Sequence, residues 1–569
     1  MELLIADTSG IQTYIFGSNR LRENIGASFL VEQATRVWAL DLVRELTAGQ
    51  CNLTAEREID PSWCLDPGSS ALAAEVIYSG GGNFLGLFGS AELAERFERA
   101  LSLRVLTDAP GLNLVMARES FDWTGAPFAA VYQQLLGTLA RAKEARPVSL
   151  PLAGMGVTRL CRSTGLPAVG LDRSFGQARP ASAEILAKLA AARHGPVEAR
   201  LRQVTGLAET DQFVFPTDLS ELGASHGRNS YLAVVHADGN DMSGRFQRVL
   251  VQHAEDSRAC IRALRALSAG VTEAAQVALR EMVTTIKQAV TLTHGQAKIG
   301  VADERLRGLE ITLSPEMKSD RHGQPPTWTG RWYLPLRPLV FGGDDLAFIT
   351  DGRIGLEATV ALLQAFARHS AGLPDDQGAA SACAGVAIGK VTRPFSSAYA
   401  LSEALCQNAK HARREHHVAG AMLDWHFGAT ATDDGLERLR QREYGLRLQG
   451  RERSLLLRPV ALVAEPGLRG RSWTAVRSGI KAFQGADWLG RRNKTKALRD
   501  ALRGGSDAVE LFRNQFLDGG ELPAVEDGRE HWPRTGWDAD LCGYFDAVEI
   551  FDRFLSLTQP QDARREEDM

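Results

Sequence analysis

The order of elements in this chain occurs twice, and a duplicated unit restricts the fold more than any single motif does. The first copy opens with an apolar strand, Leu3-Leu4-Ile5-Ala6, ending in Asp7 and a loop Thr8-Ser9-Gly10. A long helical pattern over roughly 20–47 follows, then two β-prone runs around the turn Gly80-Gly81-Gly82-Asn83. A helix near 90–104, a strand near 111–118 and a helix near 126–145 complete β-α-β-β-α-β, the ferredoxin-like plan. In the second copy the strand 231–237 ends at Asp238, and Gly239, Met242 and Gly244 soften the loop after it. Helical periodicity covers about 257–290, and the hairpin is Leu339-Val340-Phe341-Gly342-Gly343-Asp344-Asp345-Leu346-Ala347-Phe348-Ile349. A helix near 354–370, a strand at 384–391, a helix at 397–415 and a strand at 421–425 follow in the same order.

The expected fold class is therefore α+β, with two ferredoxin-like domains at 1–145 and 231–430. Residues 146–230 form a Gly-, Pro- and Ala-rich connector with one helical segment near 181–203. A polar excursion at 302–330, with Pro315, Gly323, Pro325, Pro326 and Gly330, reads as a surface loop. From 431 to 569 the pattern is helical and Leu/Arg-rich, and the charged tail 562–569 is expected to be disordered.

Several function classes are excluded. No apolar run approaches the roughly 18 residues that cross a bilayer, and the N-terminus lacks signal-peptide regions, so no membrane partner and a cytoplasmic location are expected. A formal charge of −4 gives no global attraction for polyanions, so nucleic-acid contact must be local. The seven cysteines have no zinc-ligand spacing and read as buried small residues. No HExxH, Walker or GxSxG motif occurs, and His416-His417 reads as part of a solvated helix end.

The chemistry concentrates at the second hairpin. Asp344 and Asp345 are neighbours at its tip, where like charges repel unless water or a cation neutralises them. Gly342 and Gly343 remove side chains and leave room for a ligand at the backbone. The fold plan sets the first strand beside the hairpin, so Asp238 is expected to face the pair. Hard oxygen ligands with space for phosphate suit Mg²⁺ or Mn²⁺. Two such ions would activate a hydroxyl and stabilise a pyrophosphate leaving group. The plain alternative is a polar hairpin turn, since Asp and Gly are common turn residues. Aligning Gly80-Gly81 with Gly342-Gly343 puts Gly82 and Asn83 where Asp344 and Asp345 stand. The first copy is thus expected to keep the ligand-sized gap, lose the carboxylate pair, and hold a second nucleotide without catalysing.

Taken together, Asp7-Thr8-Ser9-Gly10-Ile11-Gln12, Gly80-Gly81-Gly82-Asn83-Phe84, Asp238-Gly239 and Gly342-Gly343-Asp344-Asp345 resemble the double-palm large subunit of type III CRISPR effectors. Cys161-Arg162-Ser163-Thr164-Gly165-Leu166-Pro167-Ala168 and Leu423-Asp424-Trp425-His426 resemble its Cmr branch. The resemblance covers roughly residues 1–430. It implies a palm cyclase of antiviral defence that joins ATP into cyclic oligoadenylate, with two nucleotides between the palms. Asp238, Asp344 and Asp345 match the family's catalytic carboxylates, and Asp238, Gly239, Asp344 and Asp345 its metal site for two Mg²⁺ or Mn²⁺ ions. Ser9, Gly10, Gln12, Gly80, Gly81, Gly82, Gly342, Gly343 and Lys410 are the expected nucleotide-binding residues. Lys410 stands near the point where related cyclases place a lysine within reach of the triphosphate; its alternative is a solvated helix lysine. Ser9 has a second reading as a helix N-cap.

Three features depart from many relatives. The chain begins directly at the first palm, without an HD nuclease domain; no cysteine zinc site is visible; and the second acid after Asp238 is Asp241, three residues on instead of two. Implied partners are nucleoside triphosphates and, in a guide-RNA complex, other effector subunits and guide or target RNA. A stand-alone relative would look the same. The basic run Arg491, Arg492, Lys494, Lys496 and Arg499 reads as a solvated helix face sooner than an RNA contact. Two other classes stay open: a catalytically silent palm scaffold, and a cyclase making another cyclic nucleotide. A one-palm symmetric dimer of the GGDEF kind fits poorly with two fused, unequal copies.

Overall fold

The computed structural model describes residues 1–557 apart from 67–70, 146–155, 174–176, 194, 223–230, 301–307, 319–325, 429–434, 449 and 489. It is an α+β protein with several sheets, and no helix among the described residues is long and apolar enough to cross a membrane. The expected tail at 562–569 lies outside the described residues.

The first copy contains β1 (Glu2–Ser9), α1 (Ile11–Phe16), α2 (Leu21–Glu32) and α3 (Ala39–Leu46), with a π-helical turn at Gln33–Trp38. It continues with β2 (Ala74–Gly80), β3 (Asn83–Phe88), α4 (Ala91–Asp108), β4 (Asn113–Ser120) and α5 (Phe128–Ala145). Its four strands lie in the order β2-β3-β1-β4, all antiparallel to their neighbours. Alternation puts Leu3, Ile5, Leu85 and Leu87 in one buried cluster and Leu4, Ala6, Phe84 and Phe88 in another, so both sheet faces are covered. Fully burying one such side chain contributes about 1.5–3 kcal/mol. α4 starts where the Ser90 hydroxyl accepts from the Leu93 amide. Thr8 and Ser9 continue β1 beyond Asp7 and are not a loop; the turn is made by Gly10, with φ of 68°.

The connector holds β5 (Gly170–Asp172), β6 (Arg179–Ala181), α6 (Ala183–Ala192), α7 (Gly195–Thr205) and β7 (Phe213–Val214). The single expected helix is thus two. The second copy begins with β8 (Tyr231–Gly239), α8 (Met242–Gln252) and the 32-residue α9 (Ser257–Gln288), which Asp256 caps by accepting from the Ala259 amide. Cys260, Ile261, Leu264, Leu267, Val271, Ala274 and Ala275 bury one stripe of α9. β9 (Val290–Thr293), β10 (Gln296–Ile299), β11 (Ile311–Thr312), β12 (Pro315–Lys318) and β13 (Thr327–Tyr333) come next. The expected surface loop is therefore partly strand: β12 pairs with β13, which runs parallel to β7 of the connector. Polar and aromatic strand residues such as Thr327, Trp328 and Thr329 hid it behind turn-forming neighbours.

The second sheet is built from β14 (Leu336–Gly342), β15 (Asp345–Asp351), β8 and, after α10 (Gly355–His369), β16 (Ala382–Lys390). Their order β14-β15-β8-β16 repeats that of the first sheet. α11 (Phe395–Glu415) leads to β17 (Met422–Phe427), which adds to the sheet parallel to β16.

The region beyond 431 is not purely helical. It contains α12 (Gly435–Tyr444), β18 (Gly445–Leu448), β19 (Arg451–Ser454), β20 (Val460–Ala461), α13 (Trp473–Phe483), α14 (Arg492–Gly504), α15 (Ser506–Phe516), α16 (Trp532–Thr535), β21 (Trp537–Asp538), β22 (Leu541–Cys542) and α17 (Phe545–Ile550). β20 extends the second sheet, while β18, β19, β22 and β21 form one of their own. These strands are two to four residues long, too short to show alternation among arginines. On α14, Lys496 and Arg499 are exposed, but Lys494 is buried with its ammonium 4.1 Å from the Trp488 ring centre. That part of the expected solvated face is a packing contact.

Candidate functional site: two glycine turns and a carboxylate cluster

β8 is the central strand between β15 and β16, and its end carries Asp238. Asp345 pairs directly with Asp238 across β8 and β15. In the first copy Asn83 pairs with Asp7 at the corresponding position. Gly342 pairs with Asp345, and Gly80 with Asn83, so the strand register reproduces the sequence alignment of the two hairpins. Each turn has two central residues. Gly81 and Gly82 have φ of 60° and 83°; in the other turn Gly343 has 64°, and Asp344 takes ordinary negative φ. A carboxylate is thereby admitted to the second turn, where an L-residue fits without strain.

The carboxylates are not freely exposed hairpin-tip groups, as the sequence suggested. Asp344 and Asp345 are half-buried, and the Oδ1 of Asp345 is enclosed with no hydrogen-bond partner. A Cβ on Gly239 would lie 2.7 Å from the Oδ2 of Asp344, so only glycine leaves room for that side chain. Burial, then the charge of Asp238, raises the Asp344 carboxyl above its ordinary range. Burial, then Asp238, Asp344 and Glu403, pushes Asp345 up to about 8.

Lys410, from α11, sets its ammonium 2.6 Å from the Oδ2 of Asp238 and 2.7 Å from the carbonyl of Gly239. It is a cluster member and not a solvated helix lysine. The first copy has the same device: Lys143 of α5 stands 2.7 Å from Asp7. Lys143 was missed in the sequence, though comparing the last helices of the two copies would have shown it. Glu403 was missed too; burial and Asp238 raise its carboxyl. His236 is buried two residues before Asp238, 3.1 Å from the Tyr399 hydroxyl and 3.4 Å from Asp345. Burial lowers its imidazole to about 4, so at neutral pH it is uncharged beside Asp345.

Asp241 turns away, with φ of 54° and a 3.0 Å ion pair to Arg248. The Ser9 hydroxyl donates to Asp7 at 3.1 Å and makes no helix cap, since α1 begins after Gly10 without a side-chain cap.

The two glycine turns meet. A Cβ on Gly342 would lie 2.9 Å from the Cα of Gly81. Beside them opens a cavity of about 610 Å³, walled by α2, the π-helical turn and α9. Gly80, Gly81, Gly82, Gly342, Gly343 and Asp345 line it, whereas Ser9, Gly10, Gln12, Asp238, Asp344 and Lys410 do not. The volume lies in the usual range for small-molecule sites.

Among the described residues no three His, Cys, Asp or Glu converge as a ready-made metal cluster. Lys410 already engages Asp238 and the Gly239 carbonyl. The donor chemistry nonetheless fits a hard divalent cation: the oxygens are carboxylate oxygens, and Asp345 Oδ1 makes no hydrogen bond.

No protein-family model matches the chain, and no curated protein does. Solved structures of Csm1–Csm4 cassettes are similar to it. The apo cassette aligns with 12% identity and a TM-score of 0.40 over 78% of this chain and 57% of that one. The cassette in complex with cA3 gives 12% and 0.43 over 97% and 69%. The cassette in complex with one ATP gives 13% and 0.43 over the same shares. This chain thus spans little more than half the length of the first of these. Similarity at that level leaves the chemistry to be argued from the chain's own residues.

Proposed function

We propose that the protein is a palm-type nucleotidyltransferase that condenses nucleoside triphosphates, ATP foremost, into a cyclic or linear oligonucleotide signal. In this reading 1–145 and 231–430 are ferredoxin-like palms, 146–230 connects them and 431–569 is a C-terminal domain. The observation that carries it is the register that puts Asp345 opposite Asp238, with Asp344 in the turn, beside a cavity shared by both glycine turns. Asp238, Asp344 and Asp345, with the Gly239 carbonyl, would hold Mg²⁺ or Mn²⁺. The bound cation supplies activation of a 3′-hydroxyl and charge stabilisation at the α-phosphate and its pyrophosphate leaving group.

The chain's own residues divide the remaining work. Gly80, Gly81 and Gly82 admit one nucleotide close to the backbone, and Gly342 and Gly343 admit the other. Neutral His236 and Tyr399 fix the buried side of Asp345 without adding charge. Lys410 holds the Asp238 carboxylate in place, and on nucleotide entry its ammonium exchanges that carboxylate for phosphate oxygens.

The membership suggested by the sequence, the large subunit of a type III CRISPR effector in antiviral defence, belongs to the same proposal. So do the other effector subunits and guide or target RNA as partners. The resemblance pointed to the Cmr branch, whereas the similar solved structures are Csm cassettes.

A second reading rests on one observation. The Lys–Asp pair occurs in both copies, including the one without paired carboxylates, as expected if it only braces two palms of a silent scaffold. Incubating the purified protein with each triphosphate and Mg²⁺ or Mn²⁺, with and without RNA, and identifying products by mass separates the two.

A further inference from the structure

The wall of the cavity formed by α9 carries charge that the protein itself does not use. Arg258, Arg262 and Arg265 lie on successive turns of that helix. Arg258 is fully engaged, donating to both oxygens of the buried Glu75 at 2.8 and 2.9 Å, to Asp66 at 2.7 Å and to the Leu65 carbonyl at 3.1 Å. Arg265 is buried, at 7% exposure, and lines the cavity. Its Nη2 donates to Glu75 at 2.7 Å and to the Val76 carbonyl at 3.0 Å, and its Nε to the Ile77 carbonyl at 3.2 Å. These bonds clamp the guanidinium to β2 of the first copy and fix its orientation. Its Nη1 is left enclosed with no acceptor. Arg262 also lines the cavity, is exposed, and has no hydrogen bond or ion pair with any described residue.

A buried guanidinium N–H without an acceptor is destabilising, and the acceptor that best relieves it is an anionic oxygen. Further along, α9 presents Ala266, Ser268, Ala269, Thr272, Glu273 and Gln276 to the cavity, so Arg262 and Arg265 are the cations that this helix contributes to its lining.

We propose that Arg262 and Arg265 form a phosphate subsite, in which the second copy supplies from α9 the cations that hold the phosphate chain of a nucleotide lying against the first copy's hairpin. This rests on the nucleotide-binding reading above and adds the residues that select a nucleotide over a nucleoside. Because Arg265 is held by β2, the subsite exists only while the two copies are docked.

The test is equilibrium binding of ATP, AMP and adenosine to the full chain in Mg²⁺, for the parent, Arg262→Ala and Arg265→Lys, with thermal melts of each. Arg262→Ala breaks no internal contact, so its melt is expected to match the parent's. Its ATP affinity is expected to fall about tenfold, the loss of one charge-assisted bond, with adenosine binding unchanged. Arg265→Lys keeps the charge near Glu75 but removes Nη1, and should lower the ATP-to-adenosine preference beyond any change in melting. An ATP-to-adenosine ratio equal to the parent's in both variants overturns the subsite. Equal ratios with product still formed by the parent leave the catalytic reading standing. A lost preference with no product from the parent on any triphosphate refutes the catalytic reading and leaves the subsite. A parent that binds none of the three ligands refutes both.

Discussion

Gly81 and Gly342, one from each copy, approach so closely that a methyl group on Gly342 would sit 2.9 Å from the Cα of Gly81. Two turns of a duplicated unit meet tip to tip, and both line the cavity beside them. Gly342→Ala must therefore push the turns apart, since the obstructing atom is backbone. A few tenths of an ångström of opening is expected to cost about 1–3 kcal/mol in stability and a larger share of activity. Denaturant midpoints and initial rates for Gly342→Ala against Gly343→Ala check this. Gly343 has open space around its Cβ but a φ of 64°, so it reports backbone strain alone.

Lys410 is expected to matter for rate more than for folding. It is a half-buried lysine whose ammonium bridges Asp238 and the Gly239 carbonyl. Lys410→Met keeps its packing and removes the charge; turnover should fall by about two orders of magnitude with little change in melting. Lys143→Met, the same change in the first copy, should leave turnover within a few-fold of the parent. Equal losses in both variants would mean that the pairs only brace the palms.

Asp345→Asn keeps the volume of a half-buried side chain and replaces a carboxyl that burial already holds largely protonated at neutral pH, and whose Oδ1 makes no hydrogen bond, with a permanently neutral amide. The apo variant is expected to be as stable as the parent or more so, while the stabilisation that Mg²⁺ and nucleotide together give the parent disappears. Melting curves with and without both ligands measure this. A variant that is destabilised on its own, yet still gains from the ligands, would contradict the assignment of Asp345.

Much of this site was legible in the sequence because it lies in strands and turns. The pairing of Gly80-Gly81 with Gly342-Gly343 follows from glycine's freedom at positive φ, and strand register then carries Asp238 to Asp345 and Asp7 to Asn83. What was not legible came from helices packed over the sheets. Lys143, Arg258 and Arg265 reach their partners, and Glu403 reaches Asp238, across more than a hundred residues, and helical periodicity tells which face is apolar, not what the polar face meets. The burial of the carboxylates was missed for a similar reason. A hairpin tip reads as exposed until a second hairpin is found against it. Thr8, read as loop, is in β1, and its amide and hydroxyl each bond the Gly82 carbonyl at 2.9 Å, a tie no local pattern announces.

Away from the site, His426 gives the protein an acid sensitivity of definite sign. Its ring is buried at 1% exposure, with neither nitrogen hydrogen-bonded, against Tyr444. Burial, then Arg458 and Arg440, lowers it from 6.5 to about 3. The unfolded chain therefore binds a proton that the folded chain refuses. Stability from the neutral ring is fully present above about pH 6.5 and is lost as pH falls toward 3, at about 1.4 kcal/mol per unit. His426→Gln should flatten the fall in urea midpoint between pH 7 and pH 5. An equal fall in parent and variant would show that another group sets it.

The central claim, that Asp238, Asp344 and Asp345 carry a nucleotide condensation, is tested most directly by product mass. The parent and the double variant Asp344→Ala/Asp345→Ala are each incubated with ATP and Mg²⁺ or Mn²⁺, with and without RNA, and the reaction mixtures are resolved by mass spectrometry. The account predicts linear or cyclic oligoadenylate and released pyrophosphate from the parent, and none from a double variant that still melts cooperatively. The same products at the same rate from the double variant, or no condensation product from the parent under any of these conditions, would contradict it.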